Sequence, residues 1–264
     1  MPPAPPAADG PVLSVIVPAL DEEAALPATL SALLDQRDPP DFEIVLADGG
    51  SRDRTVALFE SRVAEAAGRA AQRPDRAAAG AQPGASTTGR VVRSTVRGRA
   101  AQMNAGAAAA RGGILLFLHA DTLLPSDGLA RVAAELADPA VVGGGFALSY
   151  AEKDRRLGVI AAWATLRSRL VRIHYGDQAM FVRRDLFDRA GGFEPVPLFE
   201  DLRLAKRLRR MGTIVTLNPA VTTSGRRLLQ HGVTRTALWF AGLKLRHALG
   251  ADPRDLARRY RDVR

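Results

Sequence analysis

Ile114-Leu-Leu-Phe-Leu118 is a run of five large apolar residues that follows Gly112-Gly113 and stops at His119-Ala120-Asp121. So short a run, with no polar alternation, leaves no solvent face and predicts a strand covered on both sides, as inside a parallel sheet. Ligands of open α/β sheets sit beyond the carboxyl ends of such strands. Asp121 is therefore placed to meet a hard cation or a phosphate-bearing ligand. His119 precedes it by two residues and falls on the same side of an extended backbone. The same residues also suit a capped strand end, with an Asp-Thr turn and a histidine satisfied within the fold.

Two further runs end in the same way. Phe42 to Ala47 leads into Asp48-Gly49-Gly50-Ser51, then Asp53 and a helical pattern carried by Val56, Leu58, Phe59 and Val63. Paired glycines admit close backbone approach, and the helix after them presents free N–H groups to anions or ribose hydroxyls. Leu13 to Val17 ends at Pro18 and then Asp21-Glu22-Glu23. Three buried strands thus bring carboxylates to one rim. Further along, Asp127 to Leu136 reads as a helix, Val141 to Tyr150 as a strand entered through three glycines, and Asp154 to Ile173 as a helix. In that last helix Leu157, Ile160, Ala161, Ala164 and Val171, widened by Trp163 and Leu166, are read as core packing. Strands alternating with helices predict one α/β domain with a mainly parallel sheet.

Several blocks now stand in a specific order: Val15-Ile-Val-Pro-Ala-Leu-Asp-Glu-Glu23, Asp48-Gly-Gly-Ser51, Gly98-Arg-Ala-Ala-Gln-Met-Asn104, Leu118-His-Ala-Asp121, Gly176-Asp-Gln178 and Phe199-Glu-Asp201. Together, over about Val12 to Arg227, they resemble the family 2 glycosyltransferases of GT-A fold. That fold is a Rossmann-like, mainly parallel sheet flanked by helices in a single domain. The Gly98 to Asn104 block, His-Ala-Asp in place of the family's Asp-X-Asp, Gly176-Asp-Gln178 and Ser224-Gly-Arg-Arg227 are most similar to the arsenosugar-biosynthesis, or selenodomain-associated, transferase subgroup.

The resemblance implies an inverting transfer of sugar from a nucleoside diphosphate to an acceptor hydroxyl. It assigns Asp121 to a divalent cation, Mn²⁺ or Mg²⁺, that stabilises the departing pyrophosphate. His119 occupies the position of the first family Asp. Imidazole there suits Mn²⁺ better than the harder Mg²⁺, or else His119 only hydrogen-bonds the ribose or a phosphate. The donor side is expected to comprise Pro18, Leu20, Glu22, Asp48, Arg97, Arg99, Asn104, His119 and Ala120. Arg226 and Arg227 would face the pyrophosphate from a loop able to close over the donor. Gly176, Asp177 and Gln178 would line the acceptor or sugar side. Asp201 is the expected base and Glu200 its neighbour, although an acid doublet opening a helix also suits simple capping. A uridine diphosphate sugar is the default donor. Alternative readings are a carotenoid-acid or other lipid glycosyltransferase of the same fold, or a nucleotide-sugar-binding protein that lost catalysis with its first acid.

Composition bounds the partners. The chain has no cysteine, which excludes disulfides and thiolate metal sites and agrees with a reducing cytoplasmic setting. A net charge of +9 invites a nucleic-acid reading. The arginines, however, are interleaved with acids and lack stacking aromatics between them, so no nucleic-acid partner is expected. Attraction of a polyanionic donor is one use for the charge. Another is peripheral contact with the inner face of a membrane through the basic run Arg246 to Arg264 (Arg254, Arg258, Arg259, Arg261 and Arg264, with Leu249, Leu256 and Tyr260), although a solvated helical face accounts for that run more simply. The expected organisation is a disordered tail over 1–11, a transferase domain over 12–230 with a mobile, low-complexity insertion at 68–90, and a helical extension over 231–264.

Overall fold

The computed structural model describes residues 11–71, 88–252 and 255–258. The readings made for residues 1–10 and 72–87, and for Arg254, Arg259, Tyr260, Arg261 and Arg264, lie outside the described residues. Four strands run parallel in the order β3 (Thr88–Arg93), β2 (Phe42–Asp48), β1 (Leu13–Ala19), β4 (Ile114–Phe117). The sheet continues through β7 (Met180–Arg183), β6 (Val141–Tyr150), β8 (Thr213–Thr223) and β5 (Thr122–Leu123). β7 runs antiparallel to both β4 and β6, and β5 antiparallel to β8, so the sheet is mixed, with a parallel half as the sequence predicts.

The helices that cover it include α1 (Leu26–Leu34), α2 (Thr55–Ala71), α3 (Arg99–Ala109), α4 (Gly128–Glu135), α5 (Arg155–Val171), α6 (Arg184–Arg189), α7 (Glu200–Leu208), α8 (Arg226–Gln230) and α9 (Val233–Ala248). Strand residues alternate between two apolar layers, as the pleat requires. Val15, Val17, Ile44, Leu46 and Leu116 pack on the face that holds Leu30, Leu33 and Phe59. Ile16, Val45, Leu115 and Phe117 pack on the opposite face with Met103, Phe187 and Leu204. Both faces of β1, β2 and β4 are therefore covered, which is why these strands read as unbroken apolar runs.

Four expectations change. The insertion is shorter than 68–90, because α2 extends to Ala71 and β3 begins at Thr88. β4 stops at Phe117, and a hydrogen bond from Thr122 N to His119 O closes a turn, so strand alternation does not set the directions of His119 and Asp121. In α5 only the Leu157, Ala161 and Ser168 face is buried, whereas Trp163, Leu166 and Val171 are exposed. Leu256 packs in the core, off any membrane-facing surface.

At the amino edge of the sheet, buried Glu43 organises the strand starts. It accepts from Ser14 Oγ at 2.8 Å and from Arg111 Nε at 3.2 Å, and pairs with Arg90 at 3.2 Å. Replacing Glu43 by Ala strands several donors at once, and chemical denaturation is expected to show a loss of about 2–3 kcal/mol, below the range for fully buried pairs because both arginines reach solvent. A loss under about 0.5 kcal/mol would mean that water replaces the carboxylate freely.

The opposite edge positions the chemistry. β1 leads through α1 to β2 on one side, whereas its other neighbour β4 leads toward the opposite half of the sheet. The resulting crevice lies outside the carboxyl ends of the strands, at a topological switch point.

Candidate active site

The loops after β1 and β2 are laced together. Asp21 N donates to Ser51 Oγ at 3.0 Å, Glu22 N to Thr55 Oγ1 at 2.8 Å and Glu23 N to Asp53 Oδ2 at 3.0 Å. Asp48 is buried, and its carboxylate accepts from Gly50 N at 3.2 Å and Ser51 N at 3.0 Å, which fixes its own turn. The glycine reading at Gly49 is steric: a Cβ there would sit 2.7 Å from Gln102 Nε2. Gln102 was not anticipated. Its amide donates to Ala19 O at 2.7 Å and Ala47 O at 3.1 Å, clamping two strand ends side by side from α3.

Several site residues meet at this rim. Glu22 lies close enough to Asp121, Arg227, Arg226 and Arg99 for their charges to act on it. Burial and Asp121 push its carboxyl up, and the three arginines pull it down. The carboxylates of Glu22 and Asp121 accept no hydrogen bond among the described residues. Ala120 is fixed through its carbonyl, which accepts from Thr29 Oγ1 of α1 at 2.7 Å. Arg226 and Arg227 stand in the first turn of α8, and not on a free loop as the sequence suggested. Glu152 ties down that helix start, accepting from Gly225 N at 2.7 Å and Ser224 Oγ at 3.2 Å. Pro18 is half-buried within β1, while Leu20 and Arg97 are exposed.

Two expected ligand-facing amides turn inward instead. Asn104 donates to Phe193 O at 2.8 Å and accepts from Phe193 N at 2.9 Å, so its amide grips both backbone groups of the residue that ends the Gly191-Gly-Phe193 turn. Gln178 is fully buried, donates to Phe146 O at 3.0 Å, and accepts from Ser168 Oγ at 2.9 Å and Arg167 at 3.2 Å. These bonds spend most of each amide on the fold, leaving Asn104 one N–H and one oxygen lone pair and Gln178 one N–H.

The third cluster joins the acids of α7 to the turn Gly176–Gln178. Asp201 Oδ2 accepts from Gly176 N at 2.8 Å and Oδ1 from its neighbour Leu202 N at 2.6 Å, which orients the carboxylate from both sides. The chain enters α7 through Phe199, whose φ of 67° is left-handed and whose ring stacks on His247 at 4.6 Å. Glu200 beside it is buried, and burial and then Asp201 raise its carboxyl to about 7 against the pull of Arg99. His119 reaches the same place. A Cβ on Gly176 would lie 2.7 Å from His119 Nε2 and 3.6 Å from Asp201 Oδ2, so the absent side chain keeps a gap between them. His119 Nε2 is buried without a hydrogen-bond partner, and burial, Arg99 and Arg227 hold the ring well below its usual range, hence neutral.

Tyr175, Arg167 and Lys244 complete this side and were not singled out from sequence. Arg167 lies 3.8 Å above the Tyr175 ring centroid, and Lys244 from α9 lies 4.3 Å from it. Asp177 Oδ1 is buried and unpartnered. Burial and Asp201 push that carboxyl up, while Lys244 and Arg167 pull it down. The interruption of an apolar helix by Lys244 was the available signal, since a lysine there must reach a partner or water.

Among the described residues no three His, Asp or Glu side chains converge into a preformed metal cage. A hard cation that arrives with a diphosphate needs only one or two protein carboxylates. Asp121, whose carboxylate accepts no hydrogen bond among the described residues and lies near enough to Glu22 to act on it, fits that role. His119 Nε2, turned toward Gly176, fits it less well than the sequence reading supposed.

The family model described as glycosyl transferase family 2 matches residues 14–191. PGL/p-HBAD biosynthesis glycosyltransferases of Mycobacterium bovis and Mycobacterium tuberculosis are 32% identical over 191 residues, which cover 69% of this chain and 63% of theirs. The chain thus spans less than two thirds of the length of these relatives. Among solved structures, mannosyltransferase PcManGT from Pyrobaculum calidifontis, in complex with GDP-Man and Mn²⁺, has a TM-score of 0.58 at 26% identity, over 84% of this chain and 59% of that one. S. aureus TarS with UDP-GlcNAc has a TM-score of 0.59 at 18% identity, over 80% of this chain and 58% of that one, a likeness of fold.

Proposed function

Because the chain belongs to glycosyltransferase family 2, we propose that it moves a sugar, with inversion, from a nucleoside-diphosphate sugar to an acceptor hydroxyl. The observation that carries this reading is the meeting of Glu22, Asp121, Arg99, Arg226 and Arg227, from four separate segments, at the switch-point crevice. Such a cluster answers the charge of a diphosphate, with the arginines as donors to its oxygens. A divalent cation held at Asp121 would supply Lewis-acid stabilisation of the leaving diphosphate. Asp48 and Glu22 would take the nucleoside, with Pro18 and Leu20 beside the base.

Asp201 takes the acceptor proton. Its carboxylate is held by two backbone N–H groups and faces the gap left by Gly176, where an acceptor hydroxyl would come within reach. Neutral His119 on the other side of that gap offers one hydrogen bond without adding positive charge beside the base. The complex of PcManGT with GDP-Man and Mn²⁺ supports a nucleotide-sugar donor and a cation. A uridine diphosphate sugar is the first donor to try. The four blocks noted above support a place in the arsenosugar-biosynthesis subgroup.

Thermal melting against UDP, GDP, CDP and dTDP, each with Mn²⁺, Mg²⁺ or EDTA, tests the donor site. A ligand at 100 times its dissociation constant adds about 2.7 kcal/mol of stability. One nucleotide is expected to raise Tm only with the cation present. No shift with any nucleotide would overturn the donor-site reading.

A further inference from the structure

The outer faces of α5 and α9 carry the inverse of a normal solvated helix surface. In α5, Val159, Trp163, Leu166 and Leu170 follow one another at one-turn spacing on the side opposite buried Leu157 and Ala161. Trp163 is 67% and Leu170 74% exposed. In α9 Leu238 and Leu245, continued by Leu249 at its C-cap, line the outer side, with Leu238 69% and Leu249 79% exposed, while Val233 and Leu243 point inward. The two helices pack against each other. Single exposed apolar residues are ordinary on a protein surface; a register of them on each of two neighbouring helices is not.

Within the two helices the charge has one sign, although Asp154 caps the start of α5 and Asp252 follows Leu249. No Asp or Glu occurs from Arg155 to Gly176, and none between Asp201 and Asp252. Exposed Arg155, Arg169 and Arg172 flank the α5 stripe, and Arg235 and Arg246 flank that of α9. An apolar centre edged by arginine along both helices is complementary to lipid tails beneath anionic headgroups. It opposes pairing with a second copy of the same face, which would set the arginines along each helix against one another. No helix among the described residues is long and apolar enough to cross a membrane.

We propose that the α5 and α9 face seats this protein on an anionic phospholipid surface, with Trp163 and the leucines in the interface and the arginines among the headgroups. The inner sides of the same helices hold Tyr175 through Arg167 and Lys244, next to Asp177 and Asp201. Docking therefore brings the acceptor side of the site close to the bilayer. Delivery of a membrane-borne acceptor there rests on the proposed function, whereas the docking itself does not.

The test is sedimentation of the full chain with vesicles of phosphatidylcholine alone or mixed with phosphatidylglycerol. The protein is expected in the pellet only with the anionic vesicles, and less of it as salt rises. Trp163→Ser with Leu170→Ser should lower partitioning about a hundredfold, and Arg169→Gln or Arg235→Gln about fivefold each. The chain has two tryptophans. In Trp239→Phe protein the emission of Trp163 should shift to the blue on binding. The proposal is overturned by failure to bind anionic vesicles, by equal binding to phosphatidylcholine alone, or by binding that the apolar substitutions leave unchanged. Sedimentation equilibrium showing a dimer that those substitutions dissociate would assign the face to a second copy instead. None of these readouts requires nucleotide or turnover, so their failure is separate from failure of the transferase reading.

Discussion

Asp121→Asn is expected to lower kcat by at least about a thousandfold, because a group that stabilises a leaving diphosphate supplies several kcal/mol at the transition state. The fold should survive it. The carboxylate accepts no hydrogen bond among the described residues, and its charge works against Glu22, whose carboxyl it helps to push up. The variant should therefore melt at or slightly above the wild-type temperature without ligand, yet lose the cation-dependent part of the nucleotide shift. Those two readouts together distinguish a lost ligand from a damaged fold. Glu22→Gln is the companion measurement. It leaves Asp121 in place, so the cation dependence should persist while nucleotide affinity falls by about tenfold, as for one lost charged hydrogen bond. If Asp121→Asn retained a tenth of the activity with an unaltered cation-dependent shift, the metal assignment would be wrong.

The parts of this molecule legible in its sequence are those where one physical cause dominates. β1, β2 and β4 are buried on both faces and stand out as apolar runs, and that pattern alone is enough to place the acids at their carboxyl ends. β8 gives no such signal, since its Thr-rich sequence is only partly buried and alternates unevenly. Periodicity misled in α5 because that helix is apolar on two sides, and spacing alone cannot say which side faces inward. Asn104 and Gln178 show a different limit. A motif places an amide, but whether it faces a ligand or a backbone peptide depends on segments distant in sequence, here Phe193 and Phe146. The Tyr175, Arg167 and Lys244 group was hidden for the same reason, being assembled from a loop and two helices.

Asp201→Asn should reduce kcat by about a hundred- to ten-thousandfold, the range for removing a positioned general base, with KM for the donor little changed. This substitution is not structurally silent. Both carboxylate oxygens accept a backbone N–H, from Gly176 and from Leu202, so an amide must set its NH₂ against one of them, costing about 1–3 kcal/mol of stability. An intact nucleotide shift in the variant would show that the donor side is still assembled. A loss of less than tenfold in kcat would move the base to Glu200 or Asp177. Glu200 has its own signature. Burial and Asp201 raise its carboxyl from 4.5 to about 7 in the folded protein, so the native state keeps this proton over a window in which the unfolded chain has released it. Its contribution to stability is then fully present below about 4.5 and declines as pH rises through about 7. Glu200→Gln removes that decline. The variant should melt higher than wild type above pH 7, the difference closing as pH falls toward 4.5, and a gap that widened in acid instead would mean the carboxylate form of Glu200 is the one the fold stabilises.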